Sequence, residues 1–372
     1  MVNLNAMGIV FPNMHDSVIP DLTAHRTMAS VPFAGRYRLI DFVLSGMVLA
    51  GVQNVGVIVK KNYQSLMDHL GSGREWDLAR KRGGLKIFPP SGYSSYEYHG
   101  RIGALKGILA YIESSKEKYV ILADCDVVCD LDYAELIERH AASGADVTIA
   151  YTKEKMTPAL MNNNVSLAMA PSGRVRELMI NDEQTGRRNL SMGVLVMGRE
   201  FLTETIRSAY SRGLVKFEQE ILAKNLDTIK VYGYEYTGYR SRIADMASYF
   251  DANMQLLYRE NLNRLLPEDR PIYTKVRDEA PVRYTVGCKV KNCTVADGCI
   301  IEGEVENCII FRGVTIGKGA VVKNCVLMQN TAVAPGVRMD YVITDKDVTI
   351  TEGQYLGGTR SFQVFVKKGS TV

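Results

Sequence analysis

The stretch IIFRGVTIGKGAVVKNCVLM, residues 309–328, decides the fold of the last quarter of the chain. Its apolar residues repeat every six positions, at Ile310, Ile316, Val322 and Met328. Glycines and β-branched residues between them are too frequent for a helix. A six-residue period predicts a left-handed parallel β-helix, in which each hexad forms one face of a triangular coil.

The predicted β-helix domain spans residues 282–372 and follows a connector over residues 259–281. Hexapeptide coils that act as acyltransferases use a histidine as general base. All five histidines of this chain precede the coil: His15, His25, His69, His99 and His140. We therefore expect the coil to serve structure, assembly or regulation.

The seven cysteines form no CxxC pair, and five of them lie between residues 288 and 325. Zinc ligands come in closely spaced pairs, so this spacing argues against a metal site. Small residues that point into a β-helix include cysteine, and we expect these thiols to be reduced and to pack between coils.

Residues 1–258 show a different sequence pattern, in which short β-rich runs alternate with helical stretches. This order predicts an α/β domain of Rossmann-like type around a mostly parallel, mixed sheet. The predicted strands are Ala6 to Val10, Val55 to Val59, Tyr119 to Leu122, Asp146 to Tyr151 and Gly193 to Met197. The predicted helices are Asp41 to Ala50, Tyr63 to His69, Leu105 to Ser114, Tyr133 to Ala142, Glu200 to Ser211 and Met246 to Leu257.

The composition favours chemistry on small molecules. The chain has 372 residues, with 45 Lys and Arg against 41 Asp and Glu. So balanced a charge excludes a polybasic reader of nucleic acid or of a membrane surface. No apolar run approaches the roughly 20 residues of a membrane span, and the N-terminus does not resemble a signal peptide, so we expect a cytoplasmic protein.

Four segments carry a resemblance to a known family. Residues 30–45, SVPFAGRYRLIDFVLS, resemble the VPFGGKYRIIDFALS segment of ADP-glucose pyrophosphorylases. Asp126 to Tyr133, Ser191 to Gly193 and Ser248 to Asn253 resemble the family's GDHxYxxDY, SMG and SYxxAN motifs, in the same order. The resemblance covers essentially the whole chain and implies a nucleotidyltransferase domain followed by a β-helix.

The resemblance also implies a chemistry. The family converts ATP and glucose 1-phosphate to ADP-glucose and pyrophosphate for glycogen or starch synthesis, with magnesium. It uses a glycine-rich loop and an arginine on the nucleotide, a lysine on the sugar phosphate, and two aspartates on the metal. Each of these features is altered in this chain.

The nucleotide loop is the first alteration. The family's loop reads GGxGxRLxPLT, whereas residues 11–23 read FPNMHDSVIPDLT and contain no glycine. Pro12 and Pro20 remove backbone N–H donors, and Asp16 would repel a phosphate. We interpret this segment as an ordinary surface turn that does not bind ATP in the family's way.

The metal and sugar sites are altered as well. Alignment on SYxxAN places Arg242 over the second metal-binding aspartate and leaves Asp126 as a remnant of the first, so no metal is expected. Asn181 aligns with the sugar-phosphate lysine, and Lys216 replaces an aspartate. Candidates for a residual sugar-phosphate pocket are Ser191, Lys216, Arg240 and Arg242.

Effector binding is a further expectation from the resemblance, because the family binds phosphorylated effectors between its two domains. Arginine captures phosphate in a bidentate manner. The candidates are Arg26, Arg36, Arg38 and Arg360, and a solvated charged surface is the alternative interpretation of these positions.

These departures resemble the regulatory subunit type of the family, which pairs with a catalytic subunit. We predict a catalytically silent subunit of glucose-1-phosphate adenylyltransferase in glycogen biosynthesis, within a hetero- or homotetramer. Such a chain needs no cofactor, while the partner catalytic subunit uses Mg and ATP. The alternatives are an active glucose-1-phosphate adenylyltransferase with a divergent nucleotide loop, and an unrelated β-helix scaffold or acyltransferase.

Overall fold

The central sheet of the first domain is mixed. The computed structural model describes residues 5–90 and 100–372, so His99 lies outside the described residues. Four adjacent strands are parallel, and the long strand Arg187–Gly198 runs antiparallel to its neighbours. The spatial order is Val175–Ile180, Val165–Met169, Arg187–Gly198, Tyr119–Ala123, Ala6–Val10, Asn54–Ile58 and Gly84–Phe88; Val147–Lys155 pairs with Arg187–Gly198 and with Val231–Glu235.

All five predicted strands are present, but two are longer than predicted. Val147–Lys155 and Arg187–Gly198 continue beyond their apolar halves as an antiparallel pair of polar residues. Residues 153–155 and 187–189 are polar and carry no hydrophobic signal, which is why the pattern missed them. It also missed residues 190–192, which are buried.

The predicted helices agree with the structure except in two places. Gly100–Gly107 and Leu109–Ser114 replace one predicted helix, because Ile108 leaves helical geometry directly after the weak helix former Gly107. Met246–Gln255 ends two residues early, and Arg259–Leu265 adds a helix inside the predicted connector. The remaining α-helices are Pro20–Thr23, Leu39–Leu49, Gln64–Leu70, Tyr133–Ser143, Pro158–Met161 and Arg199–Ser211.

Shorter turns and ribbons complete the domain. They are the 3₁₀ turns Asp16–Val18, Met28–Ser30, Arg74–Trp76 and Ala223–Asn225, the π turn Phe217–Leu222, and the two-stranded ribbons Pro32–Phe33 with Tyr37–Arg38 and Val127–Cys129 with Arg240–Arg242. Within the described part of the chain, no helix is both long enough and apolar enough to cross a bilayer.

The C-terminal domain is the predicted left-handed parallel β-helix. One face stacks Arg283–Tyr284, Ile300–Ile301, Thr315–Ile316, Ala332–Val333 and Thr349–Ile350. The other strands are Lys289–Val295, Glu304–Ile310, Val321–Lys323, Val326–Leu327, Arg338–Asp340, Val342–Thr344, Tyr355–Gly357 and Val364–Val366.

The coils are shorter than three full hexads. Ile300 pairs with Thr315, fifteen residues later, and Thr315 pairs with Ala332, seventeen residues later. The six-residue phase therefore slips after Met328, so Val333 is buried in place of Ala334. Of the five cysteines predicted to pack between coils, Cys299, Cys308 and Cys325 are buried in the core, whereas Cys288 and Cys293 are half-buried against it; all five are free thiols.

The two domains share one hydrophobic core, in which Phe311, Val326 and Ile343 of the coil pack with residues of the first domain. A buried ion pair crosses the same interface, since Arg26 Nη2 lies 2.7 and 3.0 Å from the two Asp345 oxygens. A continuous core with an ion pair inside it fixes the two domains against each other.

Two of the segments that carry the resemblance are joined by hydrogen bonds at the turn that contains Ala34. Ala34, at φ 52°, donates its N–H to Asn253 Oδ1 over 2.9 Å, and Tyr249 donates its hydroxyl to the Pro32 carbonyl over 2.7 Å. Residues 30–45 and 248–253 therefore form one buried scaffold, rather than two separate motifs.

Candidate functional site

Two buried carboxylates lie at the carboxyl end of strand Tyr119–Ala123, where open α/β sheets bind their ligands. Asp124 is 5% exposed and Asp126 is 4% exposed. Asp124 donates its backbone N–H to the Gly193 carbonyl. A side chain at Gly193 would lie 2.7 Å from Asp124 Oδ2, so this position of the SMG segment needs glycine to let the carboxylate approach.

His15 reaches these carboxylates from the glycine-free loop. Its Nε2 lies 3.2 Å from Asp124 Oδ2 and 3.5 Å from Asp126 Oδ1. Although burial lowers the pKa of His15, the charges of Asp126 and Asp124 raise it to about 9, so the ring is cationic at neutral pH. The Asn163 side-chain amide lies 2.7 Å from Nδ1, and a protonated ring requires this amide to present its oxygen.

The loop that carries His15 is not the ordinary surface turn that we predicted. Phe11, Ile19 and Leu22 are buried. Asp16 accepts the backbone N–H of Met28 over 2.7 Å and so closes the loop on itself. Apolar anchors on both sides of His15 hold the imidazole in the cleft.

Arg101 is a second cation and lies beside Asp124, and no motif in the sequence indicated it. Its Nη1 and Nη2 lie 3.2 and 3.0 Å from the two oxygens of Asp124. Its Nε lies 2.8 Å from Glu218, and its guanidinium stacks 4.5 Å from the centre of the Phe11 ring. Although burial raises the pKa of Asp124, the charges of Arg101 and His15 hold it below its usual value.

Arg242 is the third cation. Its Nη1 lies 3.3 Å from Asp126 Oδ2, and its Nη2 donates to the Ser191 carbonyl over 2.7 Å and lies 3.4 Å from Glu154. Strand Arg240–Arg242 pairs with Val127–Cys129, which places Arg242 opposite Val127 and next to Asp126. Arg242 and Asp126, which the alignment placed at the two metal-binding positions of the family, are therefore neighbours in the structure.

The other predicted pocket residues are more dispersed. Ser191 joins the site only through its carbonyl, and its hydroxyl accepts the Gly193 N–H. Arg240 donates to the Lys153 carbonyl over 2.8 Å. The Lys216 side chain is exposed, and its backbone N–H is held by Glu220. Of the four candidates, the structure joins only Ser191 and Arg242 directly.

The cleft does not fit a divalent cation of the kind that the resemblance implies. Ligand atoms of His15, Asp124 and Asp126 do lie within 4.8 Å of one another. However, Mg²⁺ requires oxygen ligands, and each carboxylate here already faces a fixed guanidinium, with an imidazolium between them. A divalent cation would have to displace these cations or be repelled by them.

The four predicted effector residues lie in different environments. Arg26 is buried in the interdomain ion pair with Asp345 and also donates to the Leu22 carbonyl, so its guanidinium is already occupied. Arg360 is exposed and lies 3.4 Å from Asp251. Arg36 is exposed, and Arg38 is buried with Nη1 on Ser65.

Arg36 and Arg38 belong to a larger group of cations, which we call the basic cleft: Arg36, Arg38, Arg277, Arg312 and Lys346. Arg312 is 7% exposed, its Nε has no partner, and within residues 5–90 and 100–372 no carboxylate lies at ion-pair distance from it. Burial lowers the pKa of Arg312, and the charges of Arg36 and Arg277 add to this effect.

Lys346 shows the same crowding of positive charge. Burial lowers its pKa to about 7, and the charges of Arg38, Arg26 and Arg277 act in the same direction. Likewise, burial lowers the pKa of Arg38 to about 10. Arg38 and Arg312 are buried, Lys346 is half-buried, and the other two cations are exposed. The charges of Asp297 and Glu279 on Arg312, and of Asp345 on Lys346, oppose these shifts without reversing them. A group in which positive charge predominates in this way is suited to an anion. The charged Arg312 inside an apolar hexad was a signal for this site that the sequence analysis did not use.

Comparisons with known proteins support the two-domain organisation. Residues 19–162 match the model of the family described as nucleotidyl transferase, and residues 281–363 match that described as GlmU-like, C-terminal hexapeptide.

Similar proteins match along nearly the whole chain. "Glycogen biosynthesis protein GlgD" of Bacillus subtilis (strain 168) is 35% identical over 99% of this chain and 97% of its own length. The protein of the same name from Geobacillus stearothermophilus is 34% identical over 86% and 84%. "Glucose-1-phosphate adenylyltransferase" of Clostridium perfringens (strain SM101 / Type A) is 31% identical over 93% and 90%.

Proposed function

The chain belongs to the family of GlgD glycogen biosynthesis proteins and glucose-1-phosphate adenylyltransferases, and from this membership we propose that it is a catalytically silent, regulatory subunit. Its partner would be a catalytic glucose-1-phosphate adenylyltransferase subunit, in a tetramer of the cytoplasm. The partner would use Mg and ATP to convert glucose 1-phosphate to ADP-glucose for glycogen synthesis.

The observation that carries the proposal is the group of three fixed cations on Asp124 and Asp126. Phosphoryl transfer needs mobile positive charge on the phosphates, and in this family magnesium supplies it. Here His15, Arg101 and Arg242 neutralise the two carboxylates from within the chain. These residues lie at the carboxyl end of strand Tyr119–Ala123, the edge of an α/β sheet where ligands usually bind.

The basic cleft supports the regulatory half of the proposal. It lies where the Arg36 turn meets the coil residues Arg312 and Lys346, so an anion bound there contacts both domains. A phosphorylated sugar is the effector class that this charge distribution fits, because its phosphate would separate cations that otherwise repel one another. Binding would thereby tighten the interface and alter what the chain presents to its partner.

The test is an ADP-glucose synthesis assay with three samples: the purified chain, the catalytic subunit, and their mixture with effectors titrated. We expect no turnover from the chain alone, and a changed rate or effector response in the mixture. Heat-unfolded chain added to the catalytic subunit is the control for non-specific protein effects.

An active enzyme with a divergent nucleotide loop is the competing function. It predicts turnover by the chain alone that is lost in Asp126→Ala. That result would reject catalytic silence. A mixture that behaves as the sum of its two components would reject the regulatory role.

A further inference from the structure

A second cleft between the domains lies on a different corner of the β-helix from the basic cleft. It has a volume of about 190 Å³ and lies between helix Met246–Gln255, with the turn that follows it, and one edge of the coil. Drug-sized ligands occupy roughly 300–1,000 Å³. This cleft therefore has room for a small ring rather than for a nucleotide.

A ladder of amides forms the coil side of this cleft. Asn292, Asn307 and Asn324 occupy the same corner of three successive coils, at φ of 50°, 53° and 48°. Asn292 donates to Asn307 over 2.8 Å, Asn307 to Asn324 over 3.3 Å, and Asn324 to Asp340 over 2.8 Å. The left-handed corner explains why asparagine is present.

The ladder leaves binding capacity in the cleft. An amide nitrogen carries two hydrogens, and the ladder uses one from each residue. All three asparagines line the cleft. Three coils thus offer a row of donors and carbonyl oxygens, spaced about 4.8 Å apart like the strands that carry them.

Tyrosines occupy the positions where the ladder stops and where the helix ends. Tyr341 takes the fourth corner at φ 52°, a conformation that is unfavourable for a residue with a large side chain. Its ring packs on Phe250 with 6.0 Å between centroids. Tyr258 lines the opposite wall and is 63% exposed. Three aromatic residues therefore line the cleft, Phe250, Tyr258 and Tyr341, and Tyr341 is also strained.

The charges in this cleft cancel. Asp251 and Arg360 are the charged residues that line it, and they lie 3.4 Å apart. This neutrality distinguishes the cleft from the basic cleft, where positive charge predominates. Among the described residues that line the cleft, the one cation is already paired with Asp251, so a neutral polar ligand, which carries no charge to desolvate, suits it better than an anion.

We propose that this cleft binds a neutral saccharide and holds one of its sugar rings. A sugar ring has an apolar C–H face that packs on a tyrosine ring, and its hydroxyls both donate and accept hydrogen bonds. Planar amides meet both needs, because each offers an N–H and a carbonyl oxygen. The Asp251 and Arg360 side chains add one acceptor and several donors at the rim. Saccharide binding here does not depend on catalytic silence or on the effector role of the basic cleft.

The experiment is an isothermal calorimetric titration of the full chain with maltotriose. The variant is Tyr258→Ala, whose side chain is exposed and is not needed for folding, and the matched control is Tyr355→Ala, a tyrosine of the coil that is 70% exposed outside the cleft. We expect Tyr258→Ala to weaken binding by about threefold to tenfold, the effect of one aromatic contact. Tyr355→Ala should bind like the unmodified chain.

A second variant, Arg360→Ala, removes the rim donors and should also weaken maltotriose binding. Three results would overturn the proposal: no heat with maltotriose, equal weakening by Tyr258→Ala and Tyr355→Ala, or binding of glucose 1-phosphate at this cleft without binding of maltotriose. The ADP-glucose synthesis assay with the partner subunit is a separate test. Either proposal can therefore fail without affecting the other.

Discussion

Arg242 Nη1 lies 3.3 Å from Asp126 Oδ2. A guanidinium of the chain itself therefore lies beside this carboxylate, at the edge of the sheet where α/β proteins bind their ligands. Asp124 has the same relationship to Arg101. Internal ion pairing thus neutralises both carboxylates of this cleft while the strands that carry them keep their places in the sheet. The proposed catalytic silence rests on this arrangement.

Arg242→Ala should destabilise the chain by about 2 kcal/mol, because it leaves the buried Asp126 with His15 as its remaining cation. Urea unfolding measures the change in the free energy of unfolding. Arg240→Ala is the control, since Arg240 bonds only a carbonyl and should cost about 0.5 kcal/mol or less. Equal stabilities of Arg242→Ala and the unmodified chain would show that the ion pair contributes nothing.

Arg242→Asp should create a response to magnesium. It exchanges the guanidinium for a carboxylate next to Asp126, which supplies an oxygen ligand of the kind that Mg²⁺ prefers. The exchange also makes the cleft more negative by two charges, so its carboxylates then outnumber the remaining cations His15 and Arg101. We expect Mg²⁺ to raise the melting temperature of Arg242→Asp relative to EDTA, and to leave that of the unmodified chain unchanged. The control is the double variant Arg242→Asp with Asp126→Asn, which should lose the response. A clear rise in the unmodified chain would mean that its cleft binds the metal.

The architecture was predictable because it depends on repeating patterns. The spacing of Ile310, Ile316, Val322 and Met328 indicated the coil, and short apolar runs indicated the strands of the sheet. What the pattern missed was that the coils are shorter than eighteen residues, by three in the coil after Ile300 and by one in the coil after Thr315, which shifts burial to Val333. A missing residue changes the phase of a repeat without changing its composition.

The candidate site was predictable only in part. Alignment identified Asp126 and Arg242 because both lie beside motifs of fixed spacing. Arg101 and His15 were not identified as part of the site, since they arrive from a helix and a loop distant in sequence, and their type is common on surfaces. Only the sheet topology, which brings the ends of separate strands together, reveals them.

The basic cleft illustrates a second limit. Arg36 and Arg38 were selected by resemblance, but Arg277, Arg312 and Lys346 come from the connector and the coil. Arg26 was selected by the same resemblance and is instead tied to Asp345. Whether an arginine faces a ligand or a partner carboxylate is decided by the packing of two domains, which the local sequence does not encode.

Arg26→Ala should cost about 3 kcal/mol of stability, because Asp345 would remain as a buried charge without its partner. The double variant Arg26→Met with Asp345→Leu should recover most of this loss, since apolar replacement of a buried pair is often neutral. Arg139→Ala, which breaks the exposed pair with Glu135, is the control and should cost about 0.5 kcal/mol or less. A double variant no more stable than Arg26→Ala would assign the loss to packing rather than to charge.

Anion binding at the basic cleft should weaken as pH rises, because it depends on the protonation of Lys346. Burial and neighbouring arginines lower the pKa of this lysine to about 7. Above that pH the folded chain loses the proton that the unfolded chain keeps, so the free energy of unfolding rises with pH while the site loses a positive charge. A phosphate monoester remains a dianion over this range, since its second pKa is about 6. Affinity for glucose 1-phosphate should therefore fall by about tenfold between about pH 7 and about pH 9, which is the loss of one charged contact.

Two substitutions at the same position separate charge from packing in this pH effect. Lys346→Arg keeps its charge throughout the range, so its affinity should stay high and nearly independent of pH. Lys346→Gln has no charge to lose, and its affinity should be low and equally flat. Calorimetric titration with glucose 1-phosphate at both pH values measures all three chains. A fall in affinity that persists in Lys346→Arg would place the titrating group elsewhere, and a flat profile in the unmodified chain would show that Lys346 does not contact the anion.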